Sequence, residues 1–240
     1  MEWFIVLAVG LAAGTLGGIV GFGTSIMLLP PLVLAFGPKE AVPIMAVTAL
    51  MANASRAAVW WREIDWKACA VYGATAAPAA ALGAATLVAM SSVAIEVALG
   101  VFFILMIPAR RALAASGFRI RLWQFGVVGA VIGFLTGIVA STGPINTPFF
   151  LAYGLTKGAF LGTEALASLS MYVAKALVFN SLGALPWATF GKGLVVGSTV
   201  MVGSYVAKRF VLRLEPQQFQ RLMDGLMLVA GATLILSALA

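Results

Sequence analysis

The sequence predicts an all-α polytopic membrane protein built from two homologous halves, and three observations predict it. Hydrophobic residues fill 62% of the 240 positions and charged residues only 10%, a balance that excludes an ordinary soluble protein. The apolar residues gather into about eight segments between charge clusters, most of them long enough to cross roughly 30 Å of hydrocarbon at 1.5 Å per residue. A glycine-spaced segment that breaks in mid-course occurs twice: Gly10, Gly14 and Gly18 lie 119 residues before Gly129, Gly133 and Gly137.

The same offset pairs Ile26 with Ile145, Leu32 with Leu151, Ala46 with Ala165, Leu50 with Leu169, Arg56 with Lys175 and Ala57 with Ala176. One offset that matches this often reads as an internal repeat. The first transmembrane repeat is expected over 1–110, a basic cytoplasmic loop over 111–121, and the second repeat over 122–240. No strand pattern competes, because a spanning barrel needs apolar-polar alternation and these runs are apolar all round.

Segment one runs from Trp3 to residue 20 and resumes over 24–36. Its glycines at every fourth position leave one face of bare backbone, which suits close helix packing. Packing does not explain the cluster Gly21-Phe22-Gly23-Thr24-Ser25 ahead of Pro30-Pro31, which reads as one helix ending and another starting. Segment two, 41–61, holds Asn53 and Arg56 and ends at Trp60-Trp61-Arg62. Arg56 is close enough to that aromatic belt to snorkel to the headgroups, but Lys175 at the equivalent place favours a substrate role. Segment three, 68–90, contains Pro78 and the lone cysteine, Cys69; segment four, 93–109, carries Glu96 and stops at Pro108-Ala109-Arg110-Arg111.

Arg110, Arg111, Arg119 and Arg121, with no acid among them, mark the clearest cytoplasmic loop. Segment five then breaks as the first does, 123–140 and 144–155, with Ser141-Thr142-Gly143-Pro144 at the interruption and proline placed where a new helix starts. Segment six, 159–180, carries Glu164, Ser168, Tyr172 and Lys175. Segment seven, 187–207, runs to Lys208-Arg209, and segment eight, 218–239, holds Arg221 and Asp224. Met1-Glu2-Trp3 carries no basic stretch of the kind that opens a cleaved secretory signal.

Fifteen Lys and Arg against eight Asp and Glu give a net charge of +7. In an apolar chain this excess belongs in cytoplasmic loops rather than on nucleic acid. If each broken segment crossed the membrane once, Lys208, Arg209 and Arg213 would face outside. If each is instead a re-entrant hairpin or two short spans, the halves are inverted; 62–67, 110–121, Lys157 and 208–213 then all lie inside, with mainly Lys39 and Lys192 outside. The inverted arrangement is preferred. One cysteine and no histidine leave no intrachain disulfide, no thiolate cluster and no imidazole ligand or proton shuttle, so no metal and no cofactor is expected.

Two halves that each open with glycines spaced as Gly18, Gly21 and Gly23, followed by apolar residues and the prolines Pro30 and Pro31, then a small-residue helix, with a basic loop at mid-chain, resemble the TauE/SafE sulfite exporter family. The resemblance covers nearly the whole chain. It departs from the family at Thr24-Ser25, where further glycines are common, and at the more polar second copy, Ser141 to Asn146. The resemblance implies a secondary transporter in the bacterial cytoplasmic membrane that exports small sulfur-containing anions such as sulfite, sulfonates or sulfoacetate.

The residues point the same way. A break inside the bilayer is tolerated where it lines a cavity, and the start of a half-helix favours an anion. Expected ligands are Gly23, Thr24, Ser25, Asn53, Arg56, Ser141, Thr142, Gly143, Asn146, Tyr172 and Lys175, with one half rocking or sliding against the other for alternating access. Glu164 and Asp224 are candidates for proton coupling, though paired structural roles suit both. No catalytic residue is assigned. The alternatives are a carrier of another anion or a metal cation, a membrane-embedded enzyme limited to Ser-Lys or carboxylate chemistry, and a scaffold without substrate. Expected partners are the small anion and the lipid bilayer, with a homodimer possible.

Overall fold

In the computed structural model, which describes residues 2–20, 23–139, 142–210, 224–225, 228–229 and 231–236, the described residues form helices and short connections with no strand. Helix α1 spans Glu2–Val20, α2 Thr24–Phe36, α3 Pro38–Val59, α4 Trp66–Ala89, α5 Ser92–Ala115, α6 Gln124–Ile138, α7 Gly143–Ala152, α8 Lys157–Ser181 and α9 Trp187–Phe210, with a 3-10 turn at Trp61–Glu63. The first seven apolar segments read from the sequence therefore become helices close to their expected limits, α5 excepted at its end. Gly21, Phe22, Ser141, Arg213, Arg221 and most of segment eight lie outside the described residues.

Local chemistry sets the boundaries. Asp65 caps α4 by accepting from the backbone N–H groups of Lys67 and Ala68, both at 3.0 Å, and Ser91 caps α5 by accepting from Ala94 N–H. Gly37, at φ 75°, turns the chain into α3, whose first residue is proline. At the mid-chain loop the structure differs from the sequence reading, since α5 continues past Arg111 to Ala115. Asp224 holds Arg111 there in an ion pair.

Three helices, Pro38–Val59, Trp66–Ala89 and Ser92–Leu113, are long and apolar enough to cross a membrane. Leu82, Leu105, Val127 and Leu177 are each at least 60% exposed on outward faces, as lipid-facing side chains are. The chain is a multi-pass membrane protein.

The two broken segments fold back on themselves. Trp3 at the start of α1 meets Phe36 at the end of α2, ring centroids 5.2 Å apart, and Phe125 at the start of α6 meets Tyr153 just past α7 at 4.9 Å. Each pair is thus a hairpin with its break at the far end. The hairpins open at opposite ends of the helix stack. Around the first, Lys192 sits over the Phe36 ring and pairs with Glu40 at 2.7 Å. Around the second, Ile120 N–H donates to Ala152 O and Phe118 packs on Phe149; Asp65 N–H donates to Thr163 Oγ1, which brings the α4 start beside α8.

Glycine lets the hairpins dock on the helices of the other half. α1 packs along α9 and α6 along α4, while α3 and α8 pack on each other, α3 also on α9 and α8 also on α4. A Cβ on Gly14 would lie 2.7 Å from Val200 Cα, and one on Gly133 would lie 2.8 Å from Ala76 Cα. Neither contact leaves room for a side chain. The repeat's two glycine stripes are where these two helix pairs approach closely.

Candidate functional site

At the break between α1 and α2 the backbone must reverse in a few residues, and Gly23 does so at φ 109°, a left-handed conformation that a side chain strains. Gly23 has no side chain with which to cap α2, so the first amides of that helix have no intrahelical acceptor. The second break is built differently. Thr142 opens α7, Pro144 supplies no N–H, and the amides of Ile145 and Asn146 both turn back to Thr142 O. Among the described residues, then, no group caps the first amides of α2, whereas two of α7's turn back to Thr142 O.

Both breaks reach one pocket. It holds about 550 Å³ of empty space, part of it open to the outside, and is walled by Gly23, Thr24 and Ser25 from the first break and Thr142 and Gly143 from the second. Helix α3 contributes Asn53 and Arg56; α8 contributes Glu164, Ser168 and Tyr172; Gly17 of α1 and Ser204 of α9 complete the polar and backbone wall.

The repeat is legible in this wall. Of the sixteen lining residues, twelve form six pairs separated by the same 119 positions: Gly23 with Thr142, Thr24 with Gly143, Met45 with Glu164, Ala49 with Ser168, Ala52 with Met171 and Asn53 with Tyr172. Each half supplies equivalent positions with different chemistry. Polarity is concentrated on the α8 side, and the pocket's cation comes from α3.

That cation is engaged. Arg56 pairs with Glu164 at 3.1 Å, their side chains 13% and 4% exposed, and also donates to Asn53 Oδ1. Asn53 in turn donates to Ala49 O, which fixes its amide. Glu164 further accepts from Ser168 Oγ at 2.8 Å and Asn146 Nδ2 at 3.2 Å. Behind it, Tyr72 of α4 donates to Asn146 Oδ1 at 2.9 Å. The pair is thus neutral overall and hydrogen-bonded on both partners, as a buried ion pair must be to persist.

The remaining sequence candidates divide. Thr24 directs its hydroxyl to Ala13 O, into the space that Gly17 leaves open, and Thr142 shares its hydroxyl with Thr136. Both side chains thereby brace their own breaks. Asn146 is buried one layer behind the wall, against Glu164. Lys175, fully buried, lies one helical turn beyond Met171 and off the wall, and its ammonium donates to Thr136 O at 2.7 Å and Val139 O at 2.8 Å. Those carbonyls end α6, where the helix dipole is negative and acceptors are unpaired. Asp224 is taken up with Arg111 and does not line the pocket. Ser141 lies outside the described residues.

Sequence reading gave Ser168 no role in the site and did not single out Tyr72. Ser168 follows Glu164 by four residues on one helix face and pairs with Ala49 at the repeat offset, so the offset carried far enough finds it. Tyr72 gives a weaker signal, a lone phenol in a run of small residues.

Compared with known proteins, residues 6–234 match the family model described as Sulfite exporter TauE/SafE. No curated protein and no solved structure matches the chain.

Proposed function

The chain belongs to the sulfite exporter TauE/SafE family, and from that premise we propose that it exports small sulfur-containing anions, such as sulfite, sulfonates or sulfoacetate, across the bacterial cytoplasmic membrane. The anion sits in the pocket between the two helix breaks. One observation carries the reading: a single pocket collects both breaks, a guanidinium, and the uncapped start of α2. Arg56 supplies a planar fork suited to an oxyanion, the α2 amides and Ser25 add donors, and Asn53 and Tyr172 flank the guest. Lys175 serves the site through the end of α6, and Asn146 serves it through Glu164.

The halves are proposed to be inverted repeats. Hairpins that open at opposite ends and a wall of equivalent positions support that arrangement, with one half moving against the other to expose the pocket alternately. It also places 62–67, 110–121 and Lys157 at one membrane face and Lys39 and Lys192 at the other, as the distribution of positive charge requires. Neither enzyme chemistry nor a cation substrate suits the wall, whose one carboxylate among the described residues is already paired with Arg56.

Counterflow in proteoliposomes loaded with sulfite, sulfoacetate, taurine or sulfate tests the proposal. Wild-type protein is expected to exchange at least one of the sulfur anions. Arg56→Gln, removing charge-assisted contacts worth about 1.5–3 kcal/mol, is expected to weaken binding roughly 10- to 150-fold while the protein still elutes as one species. Unchanged exchange by the variant removes Arg56 from the site.

A further inference from the structure

The one arginine among the pocket's described residues is already paired with a carboxylate, so an arriving oxyanion must compete for it. Glu164 Oε2 lies 3.1 Å from the Arg56 guanidinium and Oε1 is held by Ser168 and Asn146. A carboxylate and a sulfonate are both planar-edged or tripodal oxyanions that seek the same fork of N–H donors. Two such anions on one buried guanidinium disfavour each other's charge.

We propose that Glu164 is the anion that the substrate replaces, and that it takes up a proton as it leaves Arg56. This rests on the carrier reading above and adds its coupling and its charge selectivity. In the empty pocket Arg56 and Glu164 cancel. In the loaded pocket Arg56 and a monovalent anion cancel, and Glu164 is a neutral acid that keeps its contacts to Ser168 and Asn146. The proton comes from the water at the open side and is released with the anion on the other, so one proton and one monoanion cross together and no net charge moves. Net flux then runs down the combined gradient of the anion and the proton. A dianion leaves one uncompensated negative charge in the site, so among the proposed sulfur anions the simple sulfonates and hydrogen sulfite are selected, and sulfoacetate and sulfate, both dianions, are disfavoured.

The surroundings of Glu164 fit a group that changes charge alone. Arg56 faces it from α3; Cys69 approaches from α4 with its thiol on Thr163 O, and Tyr72 from the same helix with its hydroxyl on Asn146. Tyr172 shares the wall. Glu63 of the 3-10 turn lies beside Gly158, six residues before Glu164. Helices α6 and α7 carry no charged side chain, and Lys175 on α8 is committed to the α6 carbonyls. No second carboxylate lines the pocket among its described residues.

The experiment uses the purified full chain in proteoliposomes with methanesulfonate as monoanion and sulfate as dianion. For the wild type, inward flux of methanesulfonate is expected to alkalinise the outer medium one proton per anion. Its rate is expected to change less than twofold when valinomycin and a potassium gradient set a membrane potential. Sulfate is expected to move at least tenfold more slowly. Glu164→Gln, which removes the carboxylate that Arg56 pairs with in the empty carrier, is expected to cut net flux at least tenfold while exchange of methanesulfonate falls less than threefold. Flux that follows the potential without proton movement overturns the proposal, as do equal rates for sulfate or proton-linked flux by the variant. Should the wild type exchange neither anion nor any other sulfur anion, the carrier reading falls and this one with it.

Discussion

Lys175 and Arg56 stand at equivalent positions of the repeat, and their side chains do different work. Arg56 points into the pocket and meets Glu164, whereas Lys175 turns to the end of α6 and donates to two carbonyls. Sequence places both cations on matching helices, but the direction of a long side chain is decided by which unsatisfied group lies within reach. At the second break that group is a helix end, and an ammonium with three donors suits it. Replacing Lys175 by Met leaves buried carbonyls without partners. The expected result is a protein destabilised by about 2–3 kcal/mol, seen as a lower thermal midpoint in detergent, with weaker anion exchange following from a loosened α6. A midpoint equal to wild type contradicts that role. The same logic explains why Thr24 and Thr142 were easy to find and hard to assign. Their position at the breaks is written in the glycines and proline around them, but each hydroxyl is spent on its own break.

At the scale of helices, the glycine stripes were the most informative part of the sequence. Spacing by four residues gives a flat helix face, and the faces dock on α9 and α4 closely enough that a methyl group has no space at Gly14 or Gly133. Which helix each stripe meets was not legible, because a bare face fits any smooth partner. Gly14→Ala and Gly133→Ala are each expected to cost about 1–3 kcal/mol through forced separation of the pair, read as a drop in thermal midpoint. Gly126→Ala is the control, since its Cβ would meet only Thr75 Cγ2 and Val71 Cγ1 at 3.9 Å and alanine favours helix over glycine. Equal losses at all three positions count against close packing as the reason for the stripe. The breaks themselves were predicted from Gly23 and from Gly143-Pro144, and both occur there. That α2 starts at Gly23 with no side-chain cap while α7 turns its amides back to Thr142 O depends on turn geometry, which composition does not encode.

For the molecule as a whole, the class and most limits of segments one to seven followed from hydropathy and the charge clusters between them, with α5 running past its expected end, and the charge distribution already favoured hairpins over single crossings. Ring contacts at Trp3–Phe36 and Phe125–Tyr153 support that preference. They also explain why Trp66 and Trp187, the first residues of α4 and α9, are largely exposed: on the proposed arrangement they meet opposite headgroup layers, where an amphipathic ring is favoured. With Cys69 replaced by Ala, Ser181→Cys is expected to react with a membrane-impermeant maleimide on intact cells, and Ser116→Cys only after the membrane is opened. Labelling of both from the same side rules out the inverted arrangement.

The six matched wall positions carry an implication about ancestry. On the proposed inverted arrangement, a chain of half this length, inserted into the membrane in both orientations and meeting its own copy about a two-fold axis, encloses the cavity with two identical sides. Fusing the copies removes the demand for symmetry. The first half carries Met45 where the second carries Glu164, so the site has an acid on one side alone, which no pair of identical subunits can have.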